Sequence, residues 1–287
     1  MLAVILSLSA AFCYASANIF AQRGLHRVPT PWGAWITLAV NSIFLWLCYF
    51  FFTPGAAILI RANLIFVFIG LFVPGLARML NFRGIQTMGS NVTSTVLNAA
   101  PLFATLLAVV FLGERPGLPV LCGMGLIVGG LMTISWGGGK ESWSRWELLY
   151  PLLAALFFAG KDVLARWGIL ITGQPILAVA IASVTGTLEV YAIIRWIQGV
   201  RFVMPPRPVL MWFGVSGLFT GASFLLQYTA LFMERVSIVT PLVNTYTVFV
   251  FFLTPFMARG IETITLRKVV GAVGVAAGVA LISIGKG

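Results

Sequence analysis

Four charged side chains lie inside long apolar stretches of this sequence: Arg78, Lys161, Asp162 and Glu189. A charge in such surroundings is costly and usually faces a cavity or an opposite charge. The Arg78 guanidinium can donate two parallel hydrogen bonds to a carboxylate or phosphate, and the Lys161 ammonium can pair with the same kind of anion. Glu189 and Asp162 are candidates for gaining and losing a proton or for binding an ammonium group.

These charges also have purely structural interpretations. Glu189 could pair with Arg78, and Arg78 could extend its side chain to the membrane surface. Asp162 and Arg166 are four residues apart, so they could form an ion pair on one helix face and leave Lys161 as the freer cation. Neighbouring helical side chains diverge by about 100°, so we expect Lys161 and Asp162 not to face one site together.

Amides and tyrosines form a second group of candidate ligand-binding residues, because they can orient a polar molecule by donating and accepting hydrogen bonds. The alternative role for them is bonding between helices. Asn98 and Asn244, a repeat-related pair, lie near the starts of their spans, where the helix dipole favours anions. The candidates are Asn81, Asn98, Gln227, Tyr228, Asn244 and Tyr246, with Asn18 as a further polar position within a span.

The sequence does not have the residues that most enzyme mechanisms need. Its one histidine, His26, lies in a short basic loop, and Asp162 is its one aspartate. A Ser–His triad would depend on that loop histidine, and an aspartyl-type intramembrane protease needs two aspartates. HExxH, CxxC, P-loop and Cys/His metal spacings are absent from the sequence. We therefore expect no enzymatic activity, no metal and no cofactor.

The elements that must position these residues are membrane helices. Of the 287 residues, 60% are hydrophobic and 9% are charged, whereas soluble domains carry about 25% charged residues. The net charge of +11 is scattered at the ends of apolar runs, which suits lipid headgroups rather than nucleic acid. About 20 apolar residues cross a bilayer. The runs predict ten transmembrane helices near 2–21, 32–52, 64–82, 91–112, 117–136, 147–167, 175–197, 209–232, 237–257 and 267–285.

The spans form two similar halves, residues 1–136 and 147–287, joined by a polar glycine-rich linker at 137–146. At an offset of 146 residues Asn98 falls on Asn244, and at 148 Glu114 falls on Glu262. A unit of five spans is odd in number, so the second copy enters the membrane in the opposite sense. The sequence thus predicts an all-α membrane fold with two inverted-topology five-helix repeats and a site near the membrane midplane between them.

The stretch from Asn98-Ala-Ala-Pro101 through Leu112-Gly-Glu-Arg115 to Ile134 resembles the drug/metabolite transporter superfamily, most closely its ten-helix EamA-type branch. The resemblance implies export of amino acids or other small metabolites, while related branches exchange sugar phosphates or nucleotide sugars. The second half departs from the pattern, because Arg259-Gly260-Ile261-Glu262 replaces the Gly-Glu pair.

These observations predict a secondary active transporter in the bacterial inner membrane, with a lipid environment and a small-molecule substrate as its partners. It would export an amino-acid-like metabolite by alternating access. The alternatives are an exchanger for phosphorylated or nucleotide-linked sugars, favoured by two intramembrane cations, and a non-transporting membrane scaffold. Two GxxxG pairs predict close helix packing within a monomer or, as the alternative, in a homodimer; they are Gly125/Gly129 and Gly274/Gly278.

The distribution of Lys and Arg predicts the orientation. The loops on the face opposite the termini hold eleven of these residues, and the face that carries the termini holds five. The count favours both termini outside the cell, whereas the family resemblance implies both termini in the cytoplasm.

Overall fold

The computed structural model describes residues 1–25, 30–53, 55, 61–77, 80, 83–84, 87–88, 90–135, 144–197, 199, 206–257 and 266–285. Within these ranges the chain is helical apart from short turns. The first half contains α1 (Leu2–Leu25), α2 (Thr30–Phe52), α3 (Leu64–Phe72), α4 (Ser90–Leu97), α5 (Ala100–Leu112) and α6 (Leu118–Ser135). The second half contains α7 (Leu149–Thr172), α8 (Pro175–Ala192), α9 (Arg207–Met233), α10 (Val236–Asn244), α11 (Tyr246–Met257) and α12 (Leu266–Ile284).

The predicted class of fold, an all-helical membrane protein, is confirmed. In the described part of the chain, seven helical stretches are long and apolar enough to cross a membrane, and three shorter apolar ones occupy the positions of the third, ninth and tenth predicted spans. Many large apolar side chains point outward, such as Phe51 and Phe111 at 78% and 72% exposure. Such a surface is stable in lipid and not in water. We call the face where α1 begins and α12 ends the terminal face.

The fourth and ninth spans are each broken part-way through the membrane. Asn98 and Ala99 separate α4 from α5, and Thr245 separates α10 from α11. Pro101 is the second residue of α5 and has no N–H to continue the helical ladder across the break. Asn98 and Asn244, the repeat-related pair, therefore mark equivalent interruptions. Broken helices of this kind occur in transporters, where they free backbone groups at mid-depth.

The packing of α6 against α12 shows how the two halves are related. A Cβ atom added to Gly123 would lie 2.7 Å from the carbonyl oxygen of Gly278, and one added to Gly130 would lie 2.5 Å from that of Gly271. The reverse contacts are equally close, at 2.5 Å for Gly278 and 2.6 Å for Gly271. Since Gly123 matches Gly271 and Gly130 matches Gly278 in the repeat, the two helices meet as a two-fold related pair. Their backbones touch because none of the four has a side chain.

The prediction of close packing at the GxxxG pairs is wrong for Gly125/Gly129 and is confirmed for Gly278 of the second pair. An added Cβ on Gly125 or Gly129 would meet no atom within 4 Å, because both face outward, and one on Gly274 would make ordinary contacts at 3.8 Å. Of the four predicted glycines, Gly278 is the one in the close approach. The glycines that make the contact are seven residues apart in each helix. Two antiparallel helices that pack side by side bring the same face together again after two turns. A homodimer contact remains a prediction.

Other contacts between the halves follow the same symmetry. Helix α2 meets α8 through a hydrogen bond between the Ser42 and Thr187 hydroxyls, 2.9 Å apart. Helix α1 packs on α9 as α7 packs on α3. In the first pair Gly24 lies against Phe213, and in the second Gly168 lies against Phe66. Equivalent helices thus exchange partners between the halves, which is the arrangement expected of inverted repeats.

Candidate functional site

Asp162 lies near the middle of α7 and is 4% exposed, and donors from two other helices bind its carboxylate. Gln227 of α9 donates through Nε2 to Oδ1 at 3.1 Å, and Thr240 of α10 donates through Oγ1 to Oδ2 at 2.8 Å. The Lys161 Nζ lies 2.8 Å from Oδ1. A buried carboxylate needs such partners, because loss of hydration is otherwise uncompensated. Asp162 therefore links three helices of the second half.

Lys161 faces an aromatic group as well as Asp162. Its Nζ lies 5.5 Å from the centre of the Phe224 ring, within the range of a cation–π contact. Phe224 stacks on Tyr14 of α1 with ring centres 6.2 Å apart, and Tyr14 meets Tyr246 of α11 edge to face at 4.9 Å. All three rings are half-buried, and the Lys161 side chain is 11% exposed. The first and second halves thus share one group of cationic and aromatic side chains.

Two predictions about Lys161 are wrong. It is not the freer cation, and it does reach the same site as Asp162. Neighbouring side chains leave the helix in different directions, but the four-carbon side chain of lysine is long enough for its ammonium to turn back to the neighbouring carboxylate. The substrate-binding role of Lys161 and the coupling role of Asp162 remain predictions.

The predicted pairing of Asp162 with Arg166 is also wrong. Arg166 lies one turn nearer the terminal face, where its NH1 group donates to the Leu231 carbonyl at the end of α9. Its Nε lies 3.9 Å from Oε1 of Glu114. Arg166 therefore belongs to a second polar group, close to the membrane surface.

Glu114 is the centre of that second group. It follows Gly113, whose left-handed φ of +66° ends α5, and its carboxylate is 8% exposed. Oε1 accepts a hydrogen bond from the Val236 backbone N–H at 2.7 Å. Oε2 accepts from the Ser237 backbone N–H at 3.1 Å and from its hydroxyl at 2.7 Å. The carboxylate thus caps the N-terminus of α10, where the helix dipole favours negative charge.

Three other predicted site residues, Asn98, Asn244 and Tyr228, make contacts of different kinds. Asn98 is buried and uses its amide to bind α6, donating to the Leu131 carbonyl at 3.1 Å and to the Ser135 hydroxyl at 3.0 Å. The Asn244 amide donates within its own helix to the Thr240 carbonyl at 2.8 Å. Tyr228 is buried in the main apolar core.

Of the remaining candidates, two lie outside the described residues and one, Glu189, lies within them. Arg78 and Asn81 lie outside the described residues, as do His26 and Glu262. Glu189 lies on α8, half-buried, in the part of that helix nearer the opposite face. Its role in coupling stays a prediction.

Sequence reasoning missed several residues that the structure brings together. Tyr14, Phe224 and Thr240 carry no charge and have ordinary membrane-helix neighbours, so no local signal distinguishes them. Glu114 was noticeable in the sequence because it aligns with Glu262 in the second repeat. That alignment indicated a loop after each span but did not indicate which residues the Glu114 carboxylate binds.

A cavity of about 200 Å³ opens at the terminal face beside the Glu114 group. It is separate from the Lys161 site and borders both the start of α10 and the end of α12. Its walls are formed by Pro116, Val120, Glu234, Arg235, Ser237, Ile238 and Gly285.

Two inverted bundles of apolar helices, with broken spans and a charged pair at mid-depth where they meet, define an integral multi-pass protein of the transporter class. The chain belongs to the EamA-like transporter family, whose model matches it twice, over residues 1–136 and 145–284. Members of this family are transporters, and the membership confirms the predicted resemblance.

Comparison with solved structures supports the fold. One crystal structure superposes with a TM-score of 0.81, covering 98% of this chain and 96% of that one at 15% sequence identity. At this identity the likeness concerns the fold alone. A search among curated proteins found no significant sequence match.

Proposed function

We propose that this transporter moves a small zwitterionic, amino-acid-like metabolite by alternating access between its two halves, in the direction of export across a bacterial inner membrane. The observation that carries the proposal is the Lys161–Asp162 pair beside the aromatic group of Tyr14, Phe224 and Tyr246. A substrate carboxylate would bind the Lys161 ammonium, and aromatic faces would receive an apolar side chain or an ammonium group.

The charge balance of the pair supports a zwitterion over a phosphate. Lys161 and Asp162 carry opposite charges 2.8 Å apart, so together they are neutral. A zwitterion can bind such a pair without leaving a net charge in a low-dielectric site, whereas a phosphate dianion would need further cations. The sugar-phosphate exchanger therefore has weaker support from these contacts and becomes an outcome of the test.

Coupling to protons is a further part of the proposal. When a substrate carboxylate takes Lys161, Asp162 loses its charged partner and keeps only the neutral donors Gln227 and Thr240. The substrate ammonium and a proton would then compete for the Asp162 carboxylate, so proton binding there would favour release of the zwitterion. Glu189 is the second proposed proton carrier, at a different depth.

The test is a panel of solutes measured with purified protein in two ways. Melting temperature reports binding, and uptake into proteoliposomes with and without a pH gradient reports transport. The panel contains amino acids, sugar phosphates and cationic drugs. We expect amino acids to raise the melting temperature and to be carried faster with a pH gradient. A response to sugar phosphates alone would refute the zwitterion, and no response to any solute would favour the scaffold.

A matched pair of variants tests the role of Lys161. Lys161→Gln removes the ammonium and should weaken amino-acid binding by about tenfold or more, because a charged hydrogen bond is lost. Arg23→Gln is the control, since Arg23 is also a cation against an aromatic ring, 5.0 Å from the Trp212 centre, but lies at the opposite face. Equal affinities in the two variants would contradict the assignment of Lys161.

A further inference from the structure

The Glu114 group joins the two halves of the protein at one membrane face. The carboxylate comes from the turn between α5 and α6 in the first half, and the helix that it caps, α10, belongs to the second half, 122 residues further along the chain. Arg235, the residue that precedes α10, makes no side-chain cap of its own. The start of α10 therefore depends on a residue from the other repeat.

Further polar contacts surround this cap. Arg166 of α7 approaches Glu114 and also donates to the end of α9, so α7 and α10 contact the carboxylate and α9 is linked to it through Arg166. Arg235 NH1 donates to the Arg115 carbonyl at 3.2 Å, a second bond between the halves. These contacts lie at the terminal face, and Arg235 and Ser237 also line the cavity beside α10.

Alternating access requires the contacts between the halves to separate at one face while they close at the other. The glycine contact between α6 and α12 is a close approach of two helix backbones without side-chain polar groups at the four glycines. The Glu114 cap differs, because a carboxylate and a helix N-terminus can both be hydrated after they separate. A polar contact at the membrane surface can thus open without leaving unpaired groups in lipid.

We propose that Glu114 is a latch that closes the terminal face of the transport pathway: the carboxylate holds α10 against the first half, and its release opens this end. The proposal rests on the proposed alternating-access function. It assigns to the Gly113-Glu114 turn a role in the conformational cycle, and it does not depend on which solute is carried.

The experiment measures access of water to a buried position behind the latch. Val239 is 0% exposed and lies one turn into α10 from Val236. In a background where Cys13, Cys48 and Cys122 are replaced by alanine, Val239→Cys provides a single thiol for a water-soluble maleimide. We expect slow labelling with Glu114 present and about tenfold faster labelling with Glu114→Gln, because one charged acceptor of three hydrogen bonds is lost.

The control removes a carboxylate cap that stays within one half. Glu147 accepts from the Ser144 backbone N–H at 2.9 Å in an exposed capping box on the opposite face. Glu147→Gln should leave Val239→Cys labelling unchanged. A second variant, Ser237→Ala, removes one donor of three and should raise the rate about threefold, since the two backbone donors remain.

The outcomes separate a latch from a static cap. If Glu114→Gln lowers the melting temperature but leaves the labelling rate of the folded protein unchanged, the latch is refuted. If that variant does not fold, Ser237→Ala decides the question by the same rate. The labelling needs no substrate, so it stands apart from the solute panel: a failed panel would refute the zwitterion, and unchanged labelling would refute the latch.

Discussion

The ion pair between Lys161 and Asp162 yields a quantitative prediction about stability. The side chains are 11% and 5% exposed, so each charge has little access to water. Removing one partner of a buried pair costs about 3–5 kcal/mol, because the other charge is left uncompensated. Asp162→Asn leaves Lys161 with the Phe224 ring, and a cation–π contact restores at most about 2 kcal/mol. We expect Asp162→Asn and Lys161→Met each to lower the unfolding free energy by about 3 kcal/mol.

The double variant distinguishes the pair from two independent effects. With both charges removed, no uncompensated charge remains, so we expect a total loss of about 1 kcal/mol or less in place of about 6. The measurement is reversible unfolding in mixed detergent micelles, with Glu147→Gln as an exposed control expected to stay within about 0.5 kcal/mol of the parent. A coupling energy below about 0.5 kcal/mol would refute the ion pair as an energetic unit.

Three further predictions concern packing, a polar contact and orientation. Gly130→Ala should lower the unfolding free energy by about 1–3 kcal/mol, because its Cβ would lie 2.5 Å from the Gly271 carbonyl oxygen. Gly125 faces outward, so Gly125→Ala should leave the unfolding free energy unchanged or raise it. Equal effects of the two variants would contradict the two-fold packing. Asn98→Ala should lower the unfolding free energy by about 1 kcal/mol, because its hydrogen bonds to α6 are lost, and should leave solute affinity unchanged. A loss of solute affinity without a loss of stability would instead show that Asn98 binds the solute. A C-terminal fusion to a reporter that fluoresces only in the cytoplasm should stay dark, as the count of Lys and Arg predicts, and bright cells would establish the opposite orientation.

Much of the fold could be predicted because membrane helices leave local marks. Each span needs a long apolar run, and repeat-related residues recur in the same order at offsets of 146 and then 148 residues. The breaks at Asn98 and Thr245 were not predictable in the same way, because a polar residue within a span does not by itself mark a break: Asn41 lies inside the unbroken α2. The GxxxG pattern identified helices that pack closely but included Gly125 and Gly129, which face outward, since spacing does not give the rotation of α6 toward α12.

The candidate site was predictable in its charges and not in its contacts. Lys161 and Asp162 were identified because a charge within a span is rare. Their pairing depended on the reach of one flexible side chain, and the donors Gln227 and Thr240 depended on how α9 and α10 approach α7. A helical wheel contains neither kind of information.

The sequence by itself determined that the chain is a multi-pass membrane protein built from a duplicated unit, because hydropathy and repeat spacing are properties of the linear chain. Only the tertiary structure decided which polar groups meet. Glu114 shows the reason most clearly: its partners, Val236 and Ser237, are more than a hundred residues away, in the other repeat. Their distance from Glu114 is set by the packing of two inverted halves, and that packing is the sum of many apolar contacts which no single position encodes.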